Sequence, residues 1–325
     1  MTTLDLRGLI PATLLPLTAD HRIDELALRA YIRWLISFEG LAALAVNMDT
    51  GEGPHLSRDE RRDVLRIYAD EVDGRLPLLA GISARYTAEA IDLARDAQSA
   101  GASGLVIFPI PAFVGEALPL AIPYEYHRAI ADAVPLPMVL FQLQPALAGV
   151  LFSRETLLRL IDIPTVVAIK EASFDAVRFV ETRRILDEAP RRITLLTGND
   201  NFILESFVLG AEGALIGFGT IAVAEQIEMF RLVANGDIEA ASRINEAVVR
   251  PLADALFAPP VRNYRARMKD ALRQLGVIPN AHMRPPLLDL DAQECEAVRR
   301  VLATRIVSKC NLIRTGLDLS LNKVI

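Results

Sequence analysis

A lysine stands where an apolar strand should end: Val166-Val167-Ala168-Ile169 runs straight into Lys170-Glu171-Ala172-Ser173. An amine at that position is poorly solvated, which disfavours the ammonium form and lowers the pKa. The neutral amine that results can attack a ketone and form an imine. The bland alternative is a lysine that makes a salt bridge at a strand end. A second feature is the turn Asn47-Met48-Asp49-Thr50-Gly51-Glu52-Gly53. Its glycines allow backbone N–H groups to approach a small anion, and the Thr50 hydroxyl can add a hydrogen bond to a carboxylate. Thr50 could equally cap a helix. The four histidines, His21, His55, His127 and His282, stand apart. None has the i, i+4 pairing or His-x-Glu context of a catalytic metal site, so no metal and no cofactor are expected.

These groups act together only if the fold brings strand ends to one place. Short aliphatic runs recur along the chain, each followed by a stretch of helical periodicity, the pattern of βαβ units and a parallel sheet. The strand candidates are Leu9 to Leu15, Ala42 to Val46, Pro77 to Ala80, Gly104 to Phe108, Met138 to Phe141, Val166 to Ile169, Ile193 to Leu196 and Gly213 to Ile216. Eight is the number that closes a (β/α)8 TIM barrel, the expected fold class. Amphipathic helices are expected over Asp24 to Phe38, Arg58 to Val72, Ala88 to Ala100, Arg154 to Ile161, Val177 to Glu188 and Ala222 to Ala234. Ser57 and Thr87 offer hydroxyl N-caps with acids in the following turn. Three further helical stretches, Ile238 to Leu256, Pro260 to Leu275 and Ala292 to Ala303, make a C-terminal helical appendage, interrupted by Pro285-Pro286. The expected division is a barrel over 1–236, a helical region over 237–307 and a weakly patterned tail over 308–325. In such a barrel catalytic groups come from the C-terminal ends of strands and the loops after them. Lys170 and the 47–53 turn both qualify.

Composition narrows the function. Of 325 residues, 52% are hydrophobic and 23% charged, enough apolar material for one large core. A net charge of −6 gives no footprint for holding nucleic acid or an anionic membrane. The first residues, Met1-Thr2-Thr3-Leu4-Asp5-Leu6, lack the basic start and apolar run of a signal peptide. Two cysteines, Cys295 and Cys310, cannot form a disulfide framework for this length. The expected setting is a cytoplasmic protein acting on a small molecule.

The constellation of Asp49-Thr50-Gly51-Glu52 after the second strand and Ile169-Lys170-Glu171-Ala172-Ser173 at the sixth resembles the N-acetylneuraminate lyase and dihydrodipicolinate synthase family of class I Schiff-base enzymes. Further matches are Leu79-Ala80-Gly81-Ile82 with Thr87-Ala88-Glu89-Ala90, then Gly101-Ala102, Thr197-Gly198-Asn199-Asp200 and Gly210-Ala211-Glu212-Gly213, in order over roughly Leu6 to Leu302. The resemblance implies that Lys170 forms the Schiff base with a 2-oxo acid. Thr50, with Gly51, Glu52, Gln142, Gly198 and the backbone near Leu215, would form the surrounding substrate pocket. The protonated imine is an electron sink, so aldol cleavage, condensation and dehydration all become accessible. A homo-oligomer, tetramer or dimer, is implied in the same way.

The sequence also departs from that family. The tyrosine that ends the fifth strand in well-known members, and relays protons, is replaced by Phe141, which has no exchangeable proton. The first residue of the usual Thr-Thr pair is Asp49. Facing a substrate carboxylate, Asp49 would be suited to general acid or base work; pointing away, it would cap a turn. The arginine of true dihydrodipicolinate synthases is missing from Gln144-Pro145-Ala146-Leu147-Ala148-Gly149, and their aromatic residue is missing from Pro109-Ile110-Pro111-Ala112-Phe113. Condensation in lysine synthesis is therefore not the expected reaction. Three readings follow: a pyruvate-type aldolase or dehydratase, a dehydratase of 2-keto-3-deoxy sugar acids in which Glu52, Gln142 or Asp49 assists, or a non-catalytic 2-oxo acid sensor on the same barrel. A metal-dependent aldolase is opposed by the absence of clustered ligands.

Overall fold

In the computed structural model, which describes residues 4–304 apart from residue 116, the eight aliphatic runs become eight parallel strands. They are β1 (Gly8–Pro11), β2 (Leu44–Val46), β3 (Leu78–Ile82), β4 (Gly104–Ile107), β5 (Met138–Leu143), β6 (Val166–Ala172), β7 (Thr194–Thr197) and β8 (Gly213–Ile216). Sheet neighbours follow the order β1-β8-β7-β6-β5-β4-β3-β2, and backbone bridges Leu9–Leu41 and Ala12–Ala45 bring β1 to β2. The result is the (β/α)8 TIM barrel. The first strand stops at Pro11 rather than Leu15. Past it the Ala12 N–H still bonds the Ile216 carbonyl of β8, but the Thr13 N–H turns to Ala45 of β2, so no regular ladder continues. The apolar run that looked like strand, Leu14 and Leu15, is buried as a loop.

Between the strands lie α1 (Glu25–Leu35), α2 (Arg58–Val72), α3 (Thr87–Ser99), α4 (Ala121–Ala133), α5 (Arg154–Ile161), α6 (Ala176–Asp187), α7 (Ile203–Val208) and, after β8, α8 (Val223–Ala234). Ser57 and Glu60 form a full capping box at the start of α2, which satisfies backbone donors the first turn would otherwise leave open. Thr87 does not cap α3 and is instead its first residue. The Glu89 carboxylate accepts the Arg85 N–H in that turn. The appendage comprises α9 (Ile238–Ile244), α10 (Arg250–Leu256), α11 (Tyr264–Gln274) and α12 (Ala292–Thr304). A π-helical stretch, Asn245–Val249, joins α9 to α10. Pro251, separated from its end by Arg250 alone, has no N–H to donate, a reason for the ladder to widen there. The expected tail, 308–325, lies outside the described residues. No described helix is long and apolar enough to cross a membrane.

Strand side chains alternate between two cores. Ile10, Val106, Val139, Ala168, Leu196 and Leu215 fill the barrel interior, while Leu9, Ile107, Leu140, Ile169, Leu195 and Ala214 pack outward under the helices. Lys170 shares the parity of Ala168 and Ala172 and so enters the barrel from β6. Glu171 and Gln142 have the opposite parity.

The appendage is tied to the barrel by charge. Lys269 of α11 pairs with Glu52, both wholly buried, and also donates to the His282 carbonyl at 2.7 Å. The second Glu52 oxygen accepts the Arg284 N–H at 2.8 Å, and the Arg284 guanidinium bonds both Glu60 oxygens at 2.8 Å and the His21 carbonyl at 2.9 Å. Burial lowers the Lys269 pKa, and the Glu52 charge opposes that. Removing one partner of such a pair leaves an uncompensated buried charge, at a typical cost of about 3–5 kcal/mol. Lys269→Ala is expected to lose roughly that much stability in urea unfolding. A loss below about 1 kcal/mol would show that the pair does not anchor the appendage.

Candidate active site

The C-terminal ends of the strands surround a cavity of about 960 Å³. Lys170 reaches into it, in register with Phe141 on one side and Leu196 on the other. The residue is 8% exposed. Burial lowers its pKa from the ordinary 10.5 to about 8, against the opposing charges of Asp200 and Asp49. The amine lies 4.1 Å from the centre of the Phe141 ring, and Phe108 packs edge-on against Phe141 at 5.1 Å. These rings keep water from the nitrogen. Gly198 lies where a Cβ would stand 2.7 Å from Lys170 Cε, so the side chain can extend only past a glycine.

The loop after β7 sets the far wall. Burial raises the Asp200 carboxyl to about 6, while the Phe218 N–H, at 2.8 Å, and the Lys170 charge pull it down. Below it, outward-facing Glu171 accepts Asn199 Nδ2 at 2.8 Å and the Ser173 N–H at 3.1 Å. Asn199 Oδ1 accepts the Phe174 N–H at 2.7 Å. This network fixes the loops after β6 and β7 on either side of Lys170.

On the opposite wall, Thr50 and Asp49 line the cavity. The Glu52 and Gly53 N–H groups close the turn on the Asp49 and Met48 carbonyls. The Asp49 carboxylate lines the cavity and is engaged by two side chains of α11. Its Oδ2 accepts the Tyr264 hydroxyl at 2.7 Å and pairs with the Arg265 guanidinium, whose Nε also donates to the Asp49 carbonyl at 2.9 Å. Tyr264 stacks on Phe257 with ring centres 4.9 Å apart. A Cβ at Gly217 would lie 3.0 Å from Thr50 Oγ1, 3.3 Å from Phe257 and 3.4 Å from the Tyr264 ring, so a glycine is what lets the three converge.

Lys170, Phe141, Asp49, Thr50 and Gly198 thus share one cavity. Four expected pocket residues do not line it. Glu52 is turned away into its pair with Lys269. Gln142 is buried on the outer face of β5, where Nε2 donates to Thr182 Oγ1 at 3.1 Å and Oε1 accepts the Phe152 N–H at 2.9 Å; strand parity sends it outward. Gly51 packs on the Thr13 carbonyl, 2.6 Å from where its Cβ would be. Leu215 belongs to the packed interior, and the chain reaches the cavity at Gly217 instead. Asp200, Tyr264 and Arg265 went unrecognised. Asp200 carried a signal, an acid just past a strand end. Tyr264 and Arg265 carried none, because they come from α11, more than 200 residues from the turn they meet. Among the described residues no group of three or more acidic, His or Cys side chains could hold a metal.

Comparison with known proteins agrees with this architecture. The Dihydrodipicolinate synthetase family matches residues 5–305. A 4-hydroxy-tetrahydrodipicolinate synthase of Thioalkalivibrio sulfidiphilus is 32% identical over 298 residues, covering 91% of this chain and 96% of that protein. The same enzyme of Cellvibrio japonicus is 30% identical, covering 91% and 98%. Among solved structures, the chloride-inhibited dihydrodipicolinate synthase of Acinetobacter baumannii complexed with pyruvate superposes with a TM-score of 0.82 at 28% identity, covering 92% of this chain and 99% of that one. YagE, an E. coli prophage protein of the dihydrodipicolinic acid synthase family, also in complex with pyruvate, gives 0.83 at 25% identity, covering 91% and 97%. A barrel of this order, a lysine near the C-terminal end of β6 and a match across nearly the whole length lead to one assignment: the chain belongs to the dihydrodipicolinate synthetase family and is a lyase of the class I, Schiff-base kind.

Proposed function

We propose that Lys170 Nζ condenses with the ketone of a 2-oxo acid, and that the resulting iminium drives making or breaking of a bond at the neighbouring carbon. The observation that carries this reading is the buried amine, lowered to about 8 at the bottom of a cavity. A pKa of about 8 leaves far more of the amine neutral near neutral pH than the ordinary 10.5 would, and the neutral form is the nucleophile. The Thr50 hydroxyl, with N–H groups of its turn, would hold the substrate carboxylate. Asp200 would face the iminium as a counter-charge, so the cation formed on substrate is stabilised without water.

The cavity is several times larger than a three-carbon acid needs. Leu143 at the end of β5 and Leu147 and Ala148 after it line the cavity with no cation among them, and the arginines that do line it, Arg58, Arg61, Arg85 and Arg265, come from other walls. These features support a longer, hydroxylated 2-oxo acid, such as a 2-keto-3-deoxy sugar acid, over the lysine-pathway condensation. Aldol cleavage and dehydration both start from the same iminium, the first by breaking the C3–C4 bond and the second by losing the C3 proton and then the C4 hydroxyl, and Phe141 favours neither.

Borohydride reduction in the presence of pyruvate is expected to leave a pyruvyl adduct on the native chain and none on Lys170→Ala, read by intact-mass spectrometry. Absence of an adduct with pyruvate and with longer 2-oxo acids would leave a binding or sensing barrel as the better account. The rate of adduct formation should climb as pH rises through about 8 and level off above it, because only the neutral amine attacks. A rate that keeps climbing toward the ordinary value of 10.5 would show that the amine is not desolvated as described.

A further inference from the structure

The loss of a phenol at Phe141 leaves the cavity without the proton carrier that a strand-borne tyrosine would supply, yet a phenol is present on another element. Tyr264, from α11, lines the same cavity as Lys170. Its hydroxyl donates to Asp49 Oδ2 at 2.7 Å and interacts with the Thr50 hydroxyl. The Tyr264 ring and Thr50 Oγ1 both approach the side-chain-free space at Gly217. A 2-oxo acid held by its carboxylate at Thr50 and joined through its second carbon to Lys170 would have its third carbon inside the cavity that Tyr264 also lines.

We propose that Tyr264 is a catalytic residue that carries the proton between the substrate's third carbon and Asp49; this rests on the imine at Lys170 proposed above. In the forward step the C3–H bond breaks and its electron pair forms the C2=C3 double bond. The iminium pair returns to nitrogen, giving a neutral enamine. The released proton passes to the Tyr264 oxygen as the phenolic proton passes to Asp49 Oδ2. Charge balances, since the iminium loses its positive charge and the Asp49 carboxylate its negative one. Reversal returns the proton to carbon. Arg265, paired with Asp49 and bonded to its backbone carbonyl, orients the carboxylate. Burial and the adjacent Asp49 charge raise the Tyr264 pKa well above its ordinary value, so the phenol stays protonated and ready to relay rather than ionised.

The step can be read without knowing the natural substrate. With pyruvate in deuterated buffer, the native protein is expected to exchange the methyl protons for deuterium, followed by NMR. Tyr264→Phe and Asp49→Asn are expected to slow exchange at saturating pyruvate by at least about 100-fold, the usual contribution of a positioned acid or base. Both should still be trapped by borohydride as the pyruvyl adduct, which reports a folded protein with an intact imine. Exchange in Tyr264→Phe within about threefold of native, with the adduct formed, would overturn the relay and direct attention to Asp200. A native protein that forms the adduct but does not exchange would overturn it as well. Absence of an adduct on the native protein would instead overturn the imine on which the relay stands.

Discussion

An amine enclosed by apolar side chains is a solvation problem, and much of the mouth of this barrel can be understood as its consequence. Lys170 rises from the interior layer beside Phe141 and Phe108, with Gly198 making room for its stem. Without water the ammonium form is penalised, and the acids at the rim only partly offset this. The same desolvation pushes the Asp200 carboxyl upward. Two groups with displaced pKa values in one cavity are what a proton- and electron-moving site requires.

The walls of that site are held by polar contacts outside the cavity. Glu171 and Asn199 on the outer side of the strands hold the loops after β6 and β7. Glu52 does the corresponding work on the other side, but its partner Lys269 belongs to the appendage. The buried pair therefore does two things at once. It holds the turn that carries Asp49 and Thr50, and it brings the first residues of α11, Tyr264 and Arg265, over the barrel mouth. The helical appendage therefore lines the cavity, through Tyr264 and Arg265.

How much was legible beforehand follows from the range of each signal. Strand and helix positions come from periodicities of two and 3.6 residues, which are local, so most ends fell within a few positions. The exception at Leu14 and Leu15 shows the limit: an apolar run reports burial, and only the exchange of partners from Ile216 to Ala45 shows that the ladder has stopped. Lys170 was legible because a charged residue ending an apolar strand is a local contradiction. Gln142 and Glu52, which the resemblance implied for the pocket, lie outside its lining. Strand parity turns the first outward, and a positive-φ turn carries the second into the appendage.

The amino-acid sequence by itself determined the eight-strand barrel, the lysine near the C-terminal end of β6 and the hydroxyl-bearing turn after β2, because each is written in residues adjacent along the chain. It also determined that β5 carries a phenyl ring where a phenol is customary. Only the tertiary structure decided what stands beside that turn. Tyr264 and Asp49 are separated by more than 200 residues, and no pattern of spacing couples them. They meet because the closed barrel offers a mouth and the Glu52–Lys269 pair seats α11 across it. Desolvation is likewise a property of the enclosed space, so the lowered pKa of Lys170 became a quantity only once the fold surrounded it.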